Sequence, residues 1–279
     1  MQIKKIVKSD DEKSIKYIQE TFDGFEIETL YVEKEEKHII CVSSQVGCKI
    51  GCYICNNGLN ANFIRNLDQE ELVKESLNVI EQMGLENSKK PILFSYMGIG
   101  EPVLNLDNVV ASMKYLNKMN LETKFSFATT GIKPEVFLNL ADKIKDLQHF
   151  KLAISLHGAT NEVREKIIPL KIDLKKMVKS VKEYQQQSKS EVEWYYLLIK
   201  DVNDSLEDAA NLVSLLGAGS KIKMYNLNPV ENAIYEESDD KTREEFVAYI
   251  KEKGLACEEY QLDGVDIFGS CGQMITRKN

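Results

Sequence analysis

Short apolar stretches alternate with amphipathic stretches along residues 38–253. The apolar stretches are rich in β-branched and aromatic residues, which is typical of buried strands, and the amphipathic ones repeat apolar positions at helical spacing. The predicted strands are HIICVSS (38–44), ILFSYM (92–97), KFSFATT (124–130), KLAISLH (151–157), VEWYYLLI (192–199) and KIKMYNL (221–227). The pattern predicts six repeats of a strand followed by a helix.

Helix start signals support this alternation. Asp68 and Glu71 have the spacing of a capping box, and Asp107 and Pro134 suit the first turns of two further helices. Three more helices are predicted over 173–187, 204–216 and 239–253. Six strand and helix repeats indicate a parallel sheet with right-handed crossovers, as a barrel or an open doubly wound sheet. Either fold binds ligands at the carboxyl ends of its strands.

The 279 residues and 43% apolar content allow one main folded body. No apolar run reaches the roughly 18 residues of a membrane span, and the start MQIKKIVKSDDEK lacks the apolar stretch of a signal peptide. We therefore expect no membrane association and a cytoplasmic location. Six cysteines in such a chain favour metal or redox chemistry over a disulfide framework.

The formal net charge of −8 is concentrated at the two ends. Residues 1–40 carry 7 basic and 10 acidic groups, and residues 231–279 carry 6 and 12, which leaves the middle close to balance. Because nucleic-acid binding usually depends on a basic surface, both ends argue against a large RNA partner.

Cys48, Cys52 and Cys55 form a C-x3-C-x2-C motif in CKIGCYIC. A structural zinc site normally has four ligands, and thioredoxin-like chemistry needs two cysteines. Iron–sulfur clusters are held by cysteine thiolates, normally four, so three would leave one iron free for an outside ligand. The motif favours a cluster over zinc.

The segment SYMGIGEPVLN follows the second predicted strand. Gly98 and Gly100 permit close approach of a ligand to the backbone, and Glu101 offers a carboxylate to an ammonium group.

His157 ends the fourth strand, where it is either a polar cap or a functional residue. Cys41 and Cys271 could each be an inert buried thiol, which is the interpretation we give Cys257. Glycines at 269 and 272 instead predict that Cys271 lies in an exposed, mobile tail able to reach an active site.

These features together resemble the RlmN/Cfr radical SAM methyltransferases, which methylate adenine carbons in RNA. The resemblance runs through nearly the whole chain. The matching segments are DGFEIET (23–29), CVSSQVGC (41–48), the cysteine loop, RNL (65–67), MGIGEPVLN (97–105), ATTG (128–131), AISLHG (153–158), DVND (201–204), NLNP (226–229) and CGQM (271–274).

The resemblance implies an α/β fold, a partial (β/α)6 TIM-like radical SAM barrel with a short N-terminal β extension. Residues 1–40 would be the extension packed on the barrel, and 41–279 the catalytic domain. A [4Fe-4S] cluster would bind Cys48, Cys52 and Cys55, and S-adenosylmethionine (SAM) would be used twice per cycle. The implied SAM contacts are Gly100, Glu101, Thr129, Ser155, Leu156 through its backbone, His157 and Asn228.

The implied chemistry is a methyl relay. Cys271 takes a methyl group from one SAM, a radical formed from the second SAM removes a hydrogen from it, and the resulting carbon adds to an sp2 carbon of the substrate. Cys41 then forms a disulfide with Cys271 to release the product, and Glu28 accepts a proton. Glu28 could instead be one more solvated charge in the acidic run 26–36. An electron donor such as flavodoxin or ferredoxin is expected as a partner.

The chain also departs from the family pattern. The family's accessory RNA-binding domain is expected to be absent, and the tail carries Glu258, Glu259 and Asp263 near positions where cations would meet phosphate. These departures leave two substrates open, adenine in RNA and a small molecule such as a nucleoside or another heteroaromatic metabolite. A different class, an iron–sulfur redox sensor or RNA-binding protein, would not need GEP, SLHG or the Cys41 and Cys271 pair.

Overall fold

The computed structural model describes residues 1–278, which fold around one large mixed sheet. The strands are β1 (Gln2–Lys8), β2 (Ser14–Glu20), β3 (Phe25–Glu33), β4 (His38–Cys41), β5 (Gln45–Val46), β6 (Arg65–Asn66), β7 (Ile92–Tyr96), β8 (Thr123–Thr129), β9 (Phe150–Ser155), β10 (Glu191–Leu197), β11 (Lys221–Tyr225), β12 (Ala256–Glu259) and β13 (Arg277–Lys278). The helices are α1 (Asn56–Asn60), α2 (Gln69–Met83), α3 (Leu106–Leu116), α4 (Val136–Ile144), α5 (Asn161–Ile167), α6 (Leu174–Ser188), α7 (Leu206–Leu216) and α8 (Asp240–Glu252).

The large sheet has the strand order β1-β2-β3-β4-β7-β8-β9-β10-β11-β12, with β13 paired to β3. Strands β4 to β12 in this order are parallel to their neighbours, and β1 to β4 form an antiparallel meander. The helices cover the outer face, and the sheet curves around an interior lined by alternate strand residues. In β10, for example, Tyr196 stacks on Phe246 of α8, while Tyr195 faces the interior beside Tyr225.

The six predicted strands are confirmed, and each ends earlier than the apolar pattern suggested. The residues just beyond the ladders, among them 42–44, 97 and 156–157, leave the sheet and form the loops described below. The capping box at Asp68 and Glu71 is also present, with the Asp68 carboxylate accepting from the Glu71 N–H at 2.9 Å. The pattern missed α5 and β12, because both are too short to show periodicity.

The predicted fold class is confirmed as a mixed α/β fold with an open, barrel-like parallel sheet. The predicted boundary between residues 40 and 41 falls inside β4, which pairs with β3 on one side and β7 on the other. No helix within residues 1–278 is both long enough and apolar enough to cross a membrane.

Candidate active site at the carboxyl ends of the strands

The three clustered cysteines lie in a loop that follows β5 and ends at α1. Gly47 begins this loop with φ +77°, and a Cβ there would lie 2.0 Å from the Asn62 carbonyl oxygen. Gly58 of α1 packs on the loop, since a Cβ would lie 2.4 Å from the Cys52 carbonyl oxygen. Both positions therefore require glycine, and the close packing sets the path of the loop.

Cys48, Cys52 and Cys55 all line one cavity of about 140 Å³, here called the thiol cavity. Within residues 1–278, no three His, Cys, Asp or Glu side chains converge as ligands of a single ion. In a cluster each thiolate instead binds its own iron, so the sulfurs stand further apart. Burial raises the pKa of all three thiols, that of Cys48 to about 12. Metal binding would displace these protons, and the donor set fits an iron–sulfur cluster.

The GEP segment forms the opposite wall of the thiol cavity. Gly98 and Gly100 lie against the 43–45 segment so closely that a Cβ would be 2.9 Å from the Ser43 Oγ and 2.6 Å from the Ser44 Oγ, respectively. The Glu101 carboxylate is buried and accepts hydrogen bonds from the Thr130 N–H and hydroxyl, both at 2.8 Å. Burial raises the pKa of Glu101, and hydrogen bonds from Thr129 and Thr130 oppose that shift. The carboxylate is thus fixed and ready for a cation.

His157 is buried and has φ +52°, a backbone conformation that non-glycine residues seldom adopt. Its Nδ1 accepts a hydrogen bond from the Leu197 N–H at 3.2 Å, so the ring proton is on Nε2. Burial lowers the pKa of His157 to about 3, and Arg164 adds to that shift. The ring therefore stays neutral. It lines a second cavity of about 150 Å³, the middle cavity, together with Cys52, Cys55, Asn228 and Cys271.

Arg164 of α5 ties the loops after β8 and β9 together. Its guanidinium donates to the carbonyl oxygens of Thr130, Ser155 and Leu156, and its Nη1 has no hydrogen-bond partner in the residues described. Burial lowers the pKa of Arg164 to about 10, and the nearby Cys52 and Glu101 oppose that shift. A buried cation with a free donor beside the thiol cavity suits an anionic cluster.

The segment around Cys271 is docked, and this corrects the expectation of an exposed, mobile tail. The Asn228 side chain donates to the Cys271 carbonyl oxygen at 2.8 Å, and the Asn56 N–H donates to the Gly272 carbonyl oxygen at 2.6 Å. Thr276 also accepts from the Gly47 N–H at 2.8 Å. The glycines serve close packing rather than mobility, because a Cβ on Gly272 would lie 3.0 Å from the Ile54 carbonyl oxygen.

Cys271 also lines a third cavity of about 150 Å³, the inner cavity, which it shares with Cys41, Tyr195, Lys223 and Tyr260. Cys271 thus forms part of the wall between the inner and middle cavities, while Cys41 lines only the inner one. Burial raises the pKa of the Cys271 thiol to about 11, and the Lys223 ammonium opposes that shift. Burial also raises the pKa of Cys41.

Glu28 lies on β3, and its buried side chain is not among the residues that line the three cavities. Its carboxylate is 3.5 Å from the Lys16 Nζ and 3.2 Å from an Arg277 guanidinium nitrogen. It also accepts a hydrogen bond from the Ile275 N–H at 3.4 Å. Burial raises the pKa of Glu28, while Lys16 and Arg277 lower it. Leu30, two residues further along the strand, lines the inner cavity.

The structure brings most of the predicted site residues together. Those lining the thiol or middle cavity are Cys48, Cys52, Cys55, Gly100, Glu101, Thr129, Ser155, His157, Asn228 and Cys271. The Leu156 backbone N–H donates to the Tyr195 carbonyl oxygen at 3.0 Å. Cys257 lies apart, on β12 opposite Ile222 of β11.

Sequence reasoning missed Arg164, Lys223 and Tyr260. Arg164 carries no local signal, because α5 has only seven residues. The alternation in KIKMY could have placed Lys223 on the same face as Tyr225, since alternate residues of a strand share a face.

Comparisons with known proteins agree with this geometry. The family model described as the radical SAM superfamily matches residues 42–213. The dual-specificity RNA methyltransferase RlmN of Nautilia profundicola is 33% identical over 93% of this chain and 77% of its own. The protein of the same name from Aliarcobacter butzleri is 31% identical over 98% and 80%. The chain belongs to the RlmN family of the radical SAM superfamily.

Solved structures support this assignment to the RlmN family. A radical SAM methyltransferase from Sphaerobacter thermophilus superposes with a TM-score of 0.88 and 26% identity, over 98% of this chain and 80% of that one. SuiB of Streptococcus suis, solved with S-adenosylmethionine, shares the fold with a TM-score of 0.56 at 12% identity, over 85% of this chain and 53% of its own. The predicted family, fold, enzyme class and cofactors, a [4Fe-4S] cluster and SAM, are thereby confirmed.

Proposed function

We propose that the protein methylates an sp2 carbon of adenine in RNA through a methyl group carried by Cys271. One observation carries the proposal. Cys271 lies between the cavity lined by Cys52 and Cys55 and the cavity lined by Cys41. A methyl carrier needs this position, since it must face the source of the radical on one side and the substrate on the other.

In this proposal Cys48, Cys52 and Cys55 bind the [4Fe-4S] cluster, and SAM binds beside it. The cluster and SAM supply the radical chemistry when bound. The proposed SAM contacts are Gly100, Glu101, Thr129, Ser155, Leu156, His157 and Asn228.

The protein groups around this site hold and orient the SAM molecule. The buried Glu101 carboxylate suits the ammonium group of SAM, and Gly98 and Gly100 let the segment that carries Glu101 pack closely on residues 43–45. His157 offers its Nε2–H as a hydrogen-bond donor into the middle cavity. Asn228 fixes the Cys271 carbonyl and so orients the sulfur.

Cys41 and Glu28 complete the proposed cycle. Cys271 must lose its proton to accept a methyl group, and the Lys223 ammonium favours that loss. To release product, the Cys41 thiolate attacks the Cys271 sulfur, so that an S–S bond forms as the S–C bond breaks. The electron pair of the S–C bond stays with the departing carbon, which takes up a proton and becomes the methyl group of the product. Glu28 takes the proton from the substrate carbon. Burial raises the pKa of Glu28, and its two cationic partners oppose that shift, which favours the ionised form that a proton acceptor requires.

RNA is the proposed substrate because relatives over 30% identical along most of their length are named RNA methyltransferases. The acidic residues of the C-terminal segment argue against an RNA substrate less strongly than the sequence suggested. Asp263 is paired with Lys34 at 2.6 Å, and Glu258 lies 4.0 Å from Lys221. A flavodoxin or ferredoxin would supply the electron that the chemistry needs.

Mass spectrometry of purified protein tests the methyl carrier. We expect a methyl group on Cys271 of the wild type and none on the Cys271→Ala variant. Cys257→Ala is the matched control, because that thiol lies on β12 outside the site, and it should leave Cys271 methylated. Wild-type protein with a full cluster and SAM but an unmethylated Cys271 would refute the relay.

A comparison of RNA tests the substrate. RNA from cells lacking the protein should lose a methyladenine that returns with the wild-type gene and not with Cys271→Ala. If the RNA is unchanged while Cys271 is methylated, the relay stands and the substrate is a small molecule.

A further inference from the structure

The inner cavity lies on the far side of Cys271 from the cysteine loop. Its volume of about 150 Å³ is that of an engineered cavity that binds benzene, so it holds one ring system and not a whole nucleotide. Enzymes that modify a base within RNA or DNA take that base into a small pocket and leave the backbone outside. The inner cavity therefore has the size for the substrate ring alone.

Tyrosine rings form much of the wall. Tyr195 and Tyr225 meet edge to face, with ring centroids 5.5 Å apart and an interplanar angle of 86°. Tyr260 lines the same cavity. Aromatic walls of this kind favour a flat ring as the ligand.

Lys223 lies in this wall and has no carboxylate partner within the described residues. The Lys223 Nζ lies 4.1 Å from the Tyr260 ring centroid and 6.0 Å from that of Tyr195. The nearby Glu193 is already 3.0 Å from both Lys151 and Lys221. Across residues 1–278, no carboxylate oxygen is within 4.0 Å of the Lys223 Nζ. Lys223 is thus a partly buried cation held over an aromatic face, with N–H donors to spare.

We propose that the inner cavity receives the substrate ring and that Lys223 donates a hydrogen bond to a ring nitrogen of that purine. This inference rests on the proposed function, since it places the substrate on the Cys41 side of Cys271. In this inference Lys223 lets the site distinguish a heteroaromatic ring, which has a nitrogen acceptor, from a hydrocarbon ring, which has none. A ring without an acceptor would leave the ammonium buried and unpaired, and such sites discriminate strongly.

The same contact would assist the reaction. A cation at a ring nitrogen draws electron density from the neighbouring carbons, which favours addition of carbon to the ring. It also stabilises negative charge that develops on that nitrogen. Lys223 is therefore proposed as a residue that contacts substrate, with effects on both binding and rate.

The Lys223→Met variant tests the inference, because it keeps the length of the side chain and removes the ammonium. We expect kcat/KM for RNA methylation to fall about 10- to 100-fold, the range for losing a hydrogen bond to a charged group. Lys223→Gln, which keeps an N–H donor, should lie between this variant and the wild type. Lys175→Met, at an exposed position of α6 outside the inner cavity, should stay within about threefold of the wild type.

Methylation of Cys271, read by mass spectrometry, separates this role from general damage. It should be complete in the control variant. Because the Lys223 ammonium also favours loss of the Cys271 proton, kcat/KM for the two Lys223 variants is expressed per methylated Cys271, and the expected fall should remain after that correction. Loss of cluster iron in both Lys223 variants, or a fall in RNA methylation that the unmethylated fraction of Cys271 accounts for in full, would overturn the proposal.

Substrate analogues identify the acceptor atom. The RNA that the wild type methylates is prepared with 1-deaza-, 3-deaza- or 7-deazaadenosine at the target position. For one of the three analogues, the wild type should methylate the RNA more slowly than it methylates unmodified RNA. Lys223→Met should show no such difference for that analogue, because the contact is already absent in the variant. Equal losses in both proteins for all three analogues would overturn the inference and leave the proposed function intact. A wild type that methylates no RNA would count against the proposed function itself, independently of the variants.

Discussion

At the residue scale, the polar groups near the site are buried and held by the protein itself. His157, Glu101 and Arg164 are each at most 3% exposed. Burial shifts the pKa of each toward the neutral form, and specific hydrogen bonds fix each side chain. Burial of these groups lowers the stability of the fold, and their hydrogen bonds hold the side chains of the site in one arrangement.

Glu75 of α2 shows the cost of burial most clearly. Its side chain is fully buried and accepts hydrogen bonds from the Thr29 hydroxyl at 2.6 Å and the Ser43 N–H at 2.9 Å, while its second oxygen has no partner in residues 1–278. Burial raises the pKa of Glu75 to about 8, from 4.5 in the unfolded chain. The folded protein therefore keeps a proton that the unfolded chain releases, and stability falls as pH rises between those values.

Glu75→Gln should remove this pH dependence, because the amide has no charge to bury. We expect the stability of the variant relative to the wild type to grow by about 1.4 kcal/mol per pH unit between pH 5 and 8. Urea unfolding at pH 5.5 and 8.5 measures it. Glu70→Gln, an exposed position on the same helix, should show no such trend. An equal difference at both pH values for Glu75→Gln would show that Glu75 is not protonated in the fold.

At the element scale, the site is built from the loops that leave parallel strands. In β9, for example, Ser155 is the last residue of the strand and His157 lies in the loop just beyond it, and both line the middle cavity. Gly158 is needed there because a Cβ would lie 2.7 Å from the Arg164 backbone. The short helix α5 is thereby packed directly on the loop that it stabilises.

Arg164→Lys tests how far α5 organises these loops. Lysine keeps the charge but lacks the planar set of donors that reaches three carbonyl oxygens. We expect a loss of roughly 1–3 kcal/mol in unfolding free energy and weaker SAM binding. Thermal unfolding and equilibrium dialysis with SAM measure these effects. Lys166→Met, at an exposed position on α5, is the control. If Arg164→Lys had the same thermal unfolding and the same SAM binding as this control, Arg164 would not organise the loops.

At the scale of the whole molecule, one continuous sheet joins the N-terminal meander to the parallel strands. Ile27 and Tyr31 of β3 are at most 1% exposed, and β3 is paired with β2, β4 and β13. β13 belongs to the same C-terminal segment that carries Cys271. The first 40 residues, which the sequence analysis set apart as an extension, therefore help to hold the C-terminal segment that carries Cys271.

Truncation should reveal this dependence. A chain starting at residue 37 loses β1 to β3, and we expect it to lose cooperative thermal unfolding, because the edge of β4 and the apolar side chains packed on β3 become exposed. Deletion of residues 2–8 removes only the largely exposed edge strand β1 and should leave a cooperative transition. Circular dichroism during heating distinguishes the two. Cooperative unfolding of the longer truncation near the wild-type temperature would show that residues 37–279 fold without β1 to β3.

The sequence by itself determined the features that depend on local spacing. Strand and helix periodicity gave the order of the parallel units, and the spacing of Cys48, Cys52 and Cys55 indicated the cluster. Only the tertiary structure decided that Cys271 is docked between two cavities, that Lys223 lines the inner cavity with it, and that Arg164 ties two strand ends together. These relations join residues far apart in the chain, so they depend on strand register and side-chain packing, which no local pattern encodes.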